Sequence, residues 1–185
     1  PLVNIAQPFK HSGLMLTCLK ESGVATPEDF KGKTLGVWFF GNEYPFLSWM
    51  SQLGIPTQGG ADGVDVLKQG FNVDPLLQKQ ADCISTMTYN EYWQLIEAGM
   101  KPEELITFKY EDQGVATLED GLYVLEDKLK DPAFEEKMVK FVRGQGPSCR
   151  VVLAEKTDRF YTNWRDYVTI DYLDIELQLI KEGNA

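Results

Sequence analysis

Two short stretches of the chain carry side chains suited to recognising a small molecule. One is Gly41-Asn42-Glu43-Tyr44-Pro45 and the other is Thr86-Met87-Thr88-Tyr89-Asn90. Each holds a carboxamide, which donates and accepts at once. Each holds a tyrosine, whose ring stacks on a flat partner while its hydroxyl hydrogen-bonds. Both lead into a helical pattern, which offers main-chain N–H groups and the positive end of a helix dipole. The combination suits a small, planar, nitrogen-containing molecule better than a bare phosphate or a long chain. Trp38 and Gln113, near the ends of predicted strands, join the candidates. Each residue also has a plainer reading. Asn42 is equally a turn residue, Glu43 a dipole partner at a helix start, and Tyr44 a packing partner for Trp38. Trp38 reads as core, and Glu111-Asp112-Gln113 as a solvated loop.

Covalent chemistry finds less support. His11 is the single histidine, so a site built from several imidazoles is ruled out. His11 with Ser12 or Cys18 has no identifiable orienting partner. Cys18, Cys83 and Cys149 lie far apart, no CxxC occurs, and one thiol is left over from any single pairing. Zinc and redox-pair readings are therefore weak, and the pairing stays open. There is no GxxxxGK[ST], no GxGxxG and no carboxylate pair that reads as acid and base. The expectation is a protein that is not an enzyme and needs no metal or cofactor.

These residues must be positioned by a fold. At 185 residues, 43% hydrophobic and 25% charged, the chain is of ordinary globular composition and is long enough for one domain or slightly more. Lys and Arg total 18 against 28 Asp and Glu, a net charge of -10. That argues against nucleic acid or an anionic membrane surface as the main partner. No apolar run approaches the ~20 residues of a membrane span. Pro1 is not followed by a basic-then-apolar start, as a mature or trimmed chain would also look.

Strand and helix patterns alternate along the chain. Strands are predicted at Leu14–Lys20, Thr34–Phe40, Val64–Leu67, Cys83–Met87, Leu105–Tyr110 and Gly121–Leu125. Helices are predicted after Thr26-Pro27, over Phe46–Leu53, after Asp74-Pro75, over Glu91–Ala98 and from Asp131-Pro132 to Gly144. Ile170, Leu173, Leu177 and Ile180 fall on one helical stripe. The alternation points to an α/β fold with a largely parallel sheet. In such sheets ligands gather at the carboxyl ends of the strands, which is where both candidate loops fall.

Four stretches together resemble a known family. They are Gly36-Val-Trp-Phe-Phe-Gly-Asn-Glu-Tyr-Pro45, Val66-Leu-Lys-Gln-Gly-Phe-Asn-Val-Asp-Pro-Leu-Leu77, Ala81-Asp-Cys-Ile-Ser-Thr-Met-Thr-Tyr-Asn-Glu-Tyr92 and Gly114-Val-Ala-Thr-Leu-Glu-Asp-Gly-Leu-Tyr-Val124. Over roughly residues 3–142 the chain resembles periplasmic solute-binding proteins of ABC transporters. The branch is the one related to thiamine-pyrimidine-precursor, nitrate, sulfonate and taurine binders. The resemblance implies a type II periplasmic-binding-protein-like fold: mostly one lobe plus crossing segments, an incomplete two-lobe protein. On that reading residues 1–30 end the first lobe and make the first crossing. Residues 31–115 form the second lobe, 116–145 return to the first, and 146–185 stay unassigned and partly helical. Carried over by position, Gln7, Asn42, Glu43, Tyr44, Thr88, Tyr89 and Asn90 would face a cleft between lobes. The implied function is capture of a small planar nitrogen-containing solute, such as a thiamine-pyrimidine precursor, for an ABC permease. The implied location is periplasmic or extracytoplasmic, with no insertion into the membrane. The alternatives are an enzyme of thiamine-pyrimidine biosynthesis, which would need a nucleophile, base or metal set, and a soluble small-molecule sensor domain.

Overall fold

The computed structural model describes residues 1–7, 11–119 and 121–155. The chain divides into two compact units, Ser12–Thr117 and the segments Pro1–His11 with Leu118–Ala185.

The Ser12–Thr117 unit is built on five strands: β2 (Leu14–Leu19), β3 (Thr34–Val37), β4 (Asp65–Lys68), β5 (Cys83–Met87) and β6 (Leu105–Lys109). The sheet order is β4-β3-β5-β2-β6. β3 pairs parallel with β4 and β5, whereas β2 runs antiparallel to both β5 and β6. The sheet is therefore mixed rather than largely parallel: four strands run one way and β2 returns between two of them. One end of the sheet thus collects the carboxyl tips of β3, β4, β5 and β6 together with the start of β2.

Helices α1 (Glu43–Leu53), α2 (Asp74–Leu77) and α3 (Glu91–Glu97) follow β3, β4 and β5. α1 ends at Gly54, whose left-handed φ of 66° lets its N–H close on Met50 and Ser51 carbonyls. The Asp74-Pro75 start yields only a single helical turn, and Thr26-Pro27 only the 3-10 turn Pro27–Phe30. Successive strand residues point to opposite faces, so two apolar clusters form. One gathers Phe30, Phe46, Trp49, Met50, Phe108 and Tyr110 around Cys18 and Cys83. The other gathers Leu76, Ile84, Leu95 and Leu105. In the first, Phe30 and Tyr110 meet Trp49 edge-on at 5.3 and 5.4 Å. Burial pushes the Tyr110 hydroxyl far up despite a hydrogen bond with Ser85.

Cys18 and Cys83 are register partners on β2 and β5, and they form a disulfide inside the first cluster. This settles a pairing that spacing alone left open.

In the other unit β1 (Leu2–Ala6) pairs antiparallel with β7 (Leu122–Leu125), and α4 (Pro132–Glu155) follows. The sequence pattern does not distinguish β1. It also predicts a stop at Gly144, but α4 continues through Gly144, Gly146 and Pro147. Glycine and proline disfavour a helix by about 1 and 3 kcal/mol, preferences that surrounding turns can override. The stripe Ile170–Ile180 lies outside the described residues.

Candidate functional site

The candidate rim lies at the shared end of the five-stranded sheet. The β3–β5 ladder runs only through Leu35–Cys83 and Gly36–Ile84. Beyond it the side chain of Gln69, which follows β4, replaces the missing strand partner. Its Oε1 accepts from Ser85 N–H at 2.8 Å and its Nε2 donates to Ser85 C=O at 2.9 Å. The Ser85 hydroxyl donates to Gly36 C=O at 3.1 Å. Gly36 leaves the necessary room: a Cβ there would stand 3.0 Å from Gln69 Oε1 and 3.1 Å from Ile84 Cγ2. The tips of β3 and β5 are thus neighbours whose loops part company at the rim.

The loop after β3 closes on itself. Glu43 Oε2 accepts from Gly41 N–H at 2.7 Å, and Asn42 Nδ2 donates to Phe39 C=O at 3.3 Å. Asn42 is exposed, Glu43 half-buried, and Tyr44 67% exposed. Trp38 is buried and donates its indole N–H to Gly70 C=O at 3.1 Å. The ring packed against it is Phe71, at 5.9 Å, rather than Tyr44.

The loop after β5 is held more tightly. The buried carboxylate of Glu91 accepts from Met87 N–H at 2.9 Å and from Asn90 Nδ2 at 2.8 Å. Asn90 Oδ1 accepts from Gln94 Nε2 at 3.1 Å, so both ends of this amide are engaged within the loop and α3. Trp93 Nε1 donates to Thr88 C=O at 3.1 Å, and Thr88 N–H donates to Gly13 C=O at 2.9 Å. Tyr89 is half-buried over Gly13, where a Cβ would fall 2.6 Å from Tyr89 Cε1. The Thr88 hydroxyl is buried and, among the described residues, has no hydrogen-bond partner. That is costly: an unmet buried hydroxyl forfeits about 1–3 kcal/mol.

Gln113 ends a short turn, Glu111–Gln113, just after β6 and is half-buried at the same end of the sheet. Gln7 belongs to the other unit, where its amide accepts from Asn4 Nδ2 at 3.0 Å and donates to Glu119 C=O at 2.9 Å. Trp38, Asn42, Glu43, Tyr44, Thr88, Tyr89, Asn90 and Gln113 therefore share one end of one sheet, and Gln7 does not share that unit. Gln69 and Glu91 escaped the sequence reading, since a side chain acting as a strand partner leaves no periodic signal. Among the described residues no group of three or more His, Cys, Asp or Glu is gathered to hold a metal ion.

The profile of the family described as NMT1/THI5 like matches residues 1–155. The chain belongs to the NMT1/THI5-like family. Among solved structures it is similar to a substrate-binding protein of an ABC uptake transporter from Streptococcus pneumoniae with bound histidine. The TM-score is 0.51 at 15% identity, over 85% of this chain and 62% of that one. It is also similar to an arginine transport-system periplasmic binding protein from Legionella pneumophila (TM-score 0.49, 12% identity, 82% and 64%). A third is a structure from work on glutathione import via GshT and the cystine ABC importer of Streptococcus mutans (TM-score 0.46, 14%, 76% and 57%). The chain thus spans less than two thirds of each of these structures. No curated protein matches it. The family and the fold agree with a periplasmic-binding-protein-like α/β architecture, of which this NMT1/THI5-like chain covers part.

Proposed function

We propose that this chain is part of the substrate-binding component of an ABC importer, and that the rim of the Ser12–Thr117 sheet takes a small, planar, nitrogen-containing solute. A thiamine-pyrimidine-precursor-like ring fits the description. The observation that carries this reading is the Thr88 hydroxyl, buried at the tip of β5 with no partner among the described residues. A native fold rarely leaves such a group unmet unless something else meets it. Tyr89 supplies a ring beside it, and the β3 loop supplies Trp38, Asn42, Glu43 and Tyr44 from the neighbouring tip. Gln113 joins from the tip of β6. The solute enters as Tyr89 swings off Gly13 and stacks on it, and Thr88 gains the hydrogen bond it lacks. The solute would then be handed to a membrane permease, as the S. pneumoniae neighbour's description as a transporter substrate-binding protein suggests. The Cys18–Cys83 bond supports an extracytoplasmic location, because disulfides persist in oxidising compartments. Among the described residues no helix is long and apolar enough to cross a membrane.

The test is a thermal-shift and calorimetric screen with uracil, cytosine, thiamine-pyrimidine, nicotinamide, histidine, taurine and nitrate. A planar nitrogen compound should raise the melting temperature by mass action, and Thr88→Val should weaken its binding. A response to taurine or nitrate alone, or equal affinity in Thr88→Val, would refute the reading.

A further inference from the structure

The segments just after β3 and β4 carry exposed rings that the solute-recognition residues above do not use. Phe40 is 88% exposed and Phe71 is 80% exposed. Exposed large aromatics of this kind are unusual when they cluster, and such clusters mark binding surfaces. Phe40 also sits in the left-handed region, with φ of 67°. A bulky residue there is strained, and glycine would fill the turn without strain. The chain keeps a phenyl ring at this point at a cost to the fold.

One cation accompanies the rings. Lys68 and Val37 are register partners at the ends of β4 and β3. Lys68 Nζ lies 4.6 Å from the centroid of the Phe40 ring and 5.8 Å from that of Phe39. Lys68 is exposed and makes no ion pair among the described residues, in a chain whose net charge is -10. An exposed ammonium that rests on rings and is matched to no described carboxylate is able to meet an anion. Phe71 is in turn backed by Trp38, whose indole is pinned to Gly70 C=O.

We infer that Phe40, Phe71 and Lys68 form the specificity end of the solute site. It takes a planar ring that bears an anionic group, a carboxylate or phosphate on an aromatic or heteroaromatic ring. The ring stacks on the exposed phenyl faces and the anion meets Lys68 Nζ. Two exposed rings and one charge make a small patch, suited to a small molecule rather than to the ~1,000 Å² that a stable protein partner needs. This inference rests on the solute-binding reading above and adds the charge of the solute and the residues that read it.

Two matched pairs test it, nicotinate against nicotinamide and orotate against uracil. Within each pair the ring is the same; nicotinate has a carboxylate where nicotinamide has a neutral carboxamide, and orotate carries a ring carboxylate that uracil lacks. Binding to the whole chain is followed by ligand-observed NMR and by Trp fluorescence, for the native protein and for Lys68→Gln, Phe40→Gly and Thr88→Val. The anion of at least one pair should bind about tenfold more tightly than its neutral mate, a preference that shrinks with added salt. Lys68→Gln should abolish the preference. Phe40→Gly should lower affinity about tenfold, in the range of stacking losses, while raising the melting temperature by removing the strained backbone. A purely structural role for Phe40 would move stability and leave affinity alone. Neutral ligands binding as well as anions, with Thr88→Val still impaired, would overturn this inference and leave the solute-binding reading intact. If no member of either pair binds, both fall for planar solutes. Self-association lost in Phe40→Gly would also overturn it, by assigning the patch to a second copy.

Discussion

Thr88 and Phe40 hold opposite kinds of unspent free energy at one rim. Thr88 buries a hydroxyl that bonds to none of the described residues, and Phe40 exposes a ring from a strained backbone. Replacing Thr88 by valine keeps the shape and removes the unmet group. Urea denaturation should therefore show Thr88→Val no less stable than the native chain, and more stable by about 1–3 kcal/mol if the full penalty is relieved. A clear loss of stability would mean that the hydroxyl has a partner in solution. Gln69 makes the contrasting case. Gln69→Ala would strand both Ser85 main-chain groups, so it should cost about 2–4 kcal/mol in the same assay. The turns at Gly41–Pro45 and Thr88–Asn90 were legible from their glycine, asparagine and proline signals, and Trp38 from the apolar run before the first of them. The clamps at Gln69 and Glu91, the contact of Lys68 with the Phe40 ring and that of Phe71 with Trp38 were not. Their meaning comes from which strand lies beside which, and a local pattern does not carry that.

The elements show where reading a sequence succeeds. Cys83–Met87 is a strand at the predicted residues, because its apolar run is bounded by charge before and a turn after. The strand predicted over Thr34–Phe40 stops at Val37. The apolar run continues, but the ladder that would extend it has ended at Gly36 and Gln69 has taken over. The antiparallel course of β2 was illegible, since its partners β5 and β6 lie far along the chain. At the start of the Pro27–Phe30 turn, Asp29 accepts main-chain hydrogen bonds from Thr26 at 2.8 Å and Ala25 at 3.0 Å. The main-chain donors of Thr26 and Ala25 hold its carboxyl below the ordinary aspartate range. A depressed folded-state pKa stabilises above the unfolded value and is lost as pH falls through the folded one. The difference in urea midpoint between the native chain and Asp29→Asn should therefore be present at neutral pH. It should close in acid below the ordinary aspartate pKa. A gap that persists unchanged in strong acid would show that the carboxylate is not its source.

At the scale of the molecule, the Cys18–Cys83 bond closes a stretch of 65 residues that includes β3, α1, β4 and α2. Closing a loop of that length restricts the unfolded chain and stabilises by about 4 kcal/mol in the chain-entropy description. Cys18→Ala/Cys83→Ala should lower the unfolding free energy by about 2–4 kcal/mol, and reductant should affect the native chain but not the double variant. Loss of the bond leaves the loops at Trp38–Asn42 and Thr88–Asn90 on adjacent strands, so solute affinity should fall less than stability does.

The central claim is that the joint end of β3, β4 and β5 receives a flat solute. Amide chemical-shift mapping of the whole labelled chain, titrated with nicotinate and orotate, addresses it most directly. The account predicts that saturable shifts concentrate at residues 38–42, 68–71 and 88–90, with little change at the far end of the sheet around Leu19, Leu76 and Met100. Saturable shifts centred on that far end, or none anywhere at millimolar ligand, would contradict it.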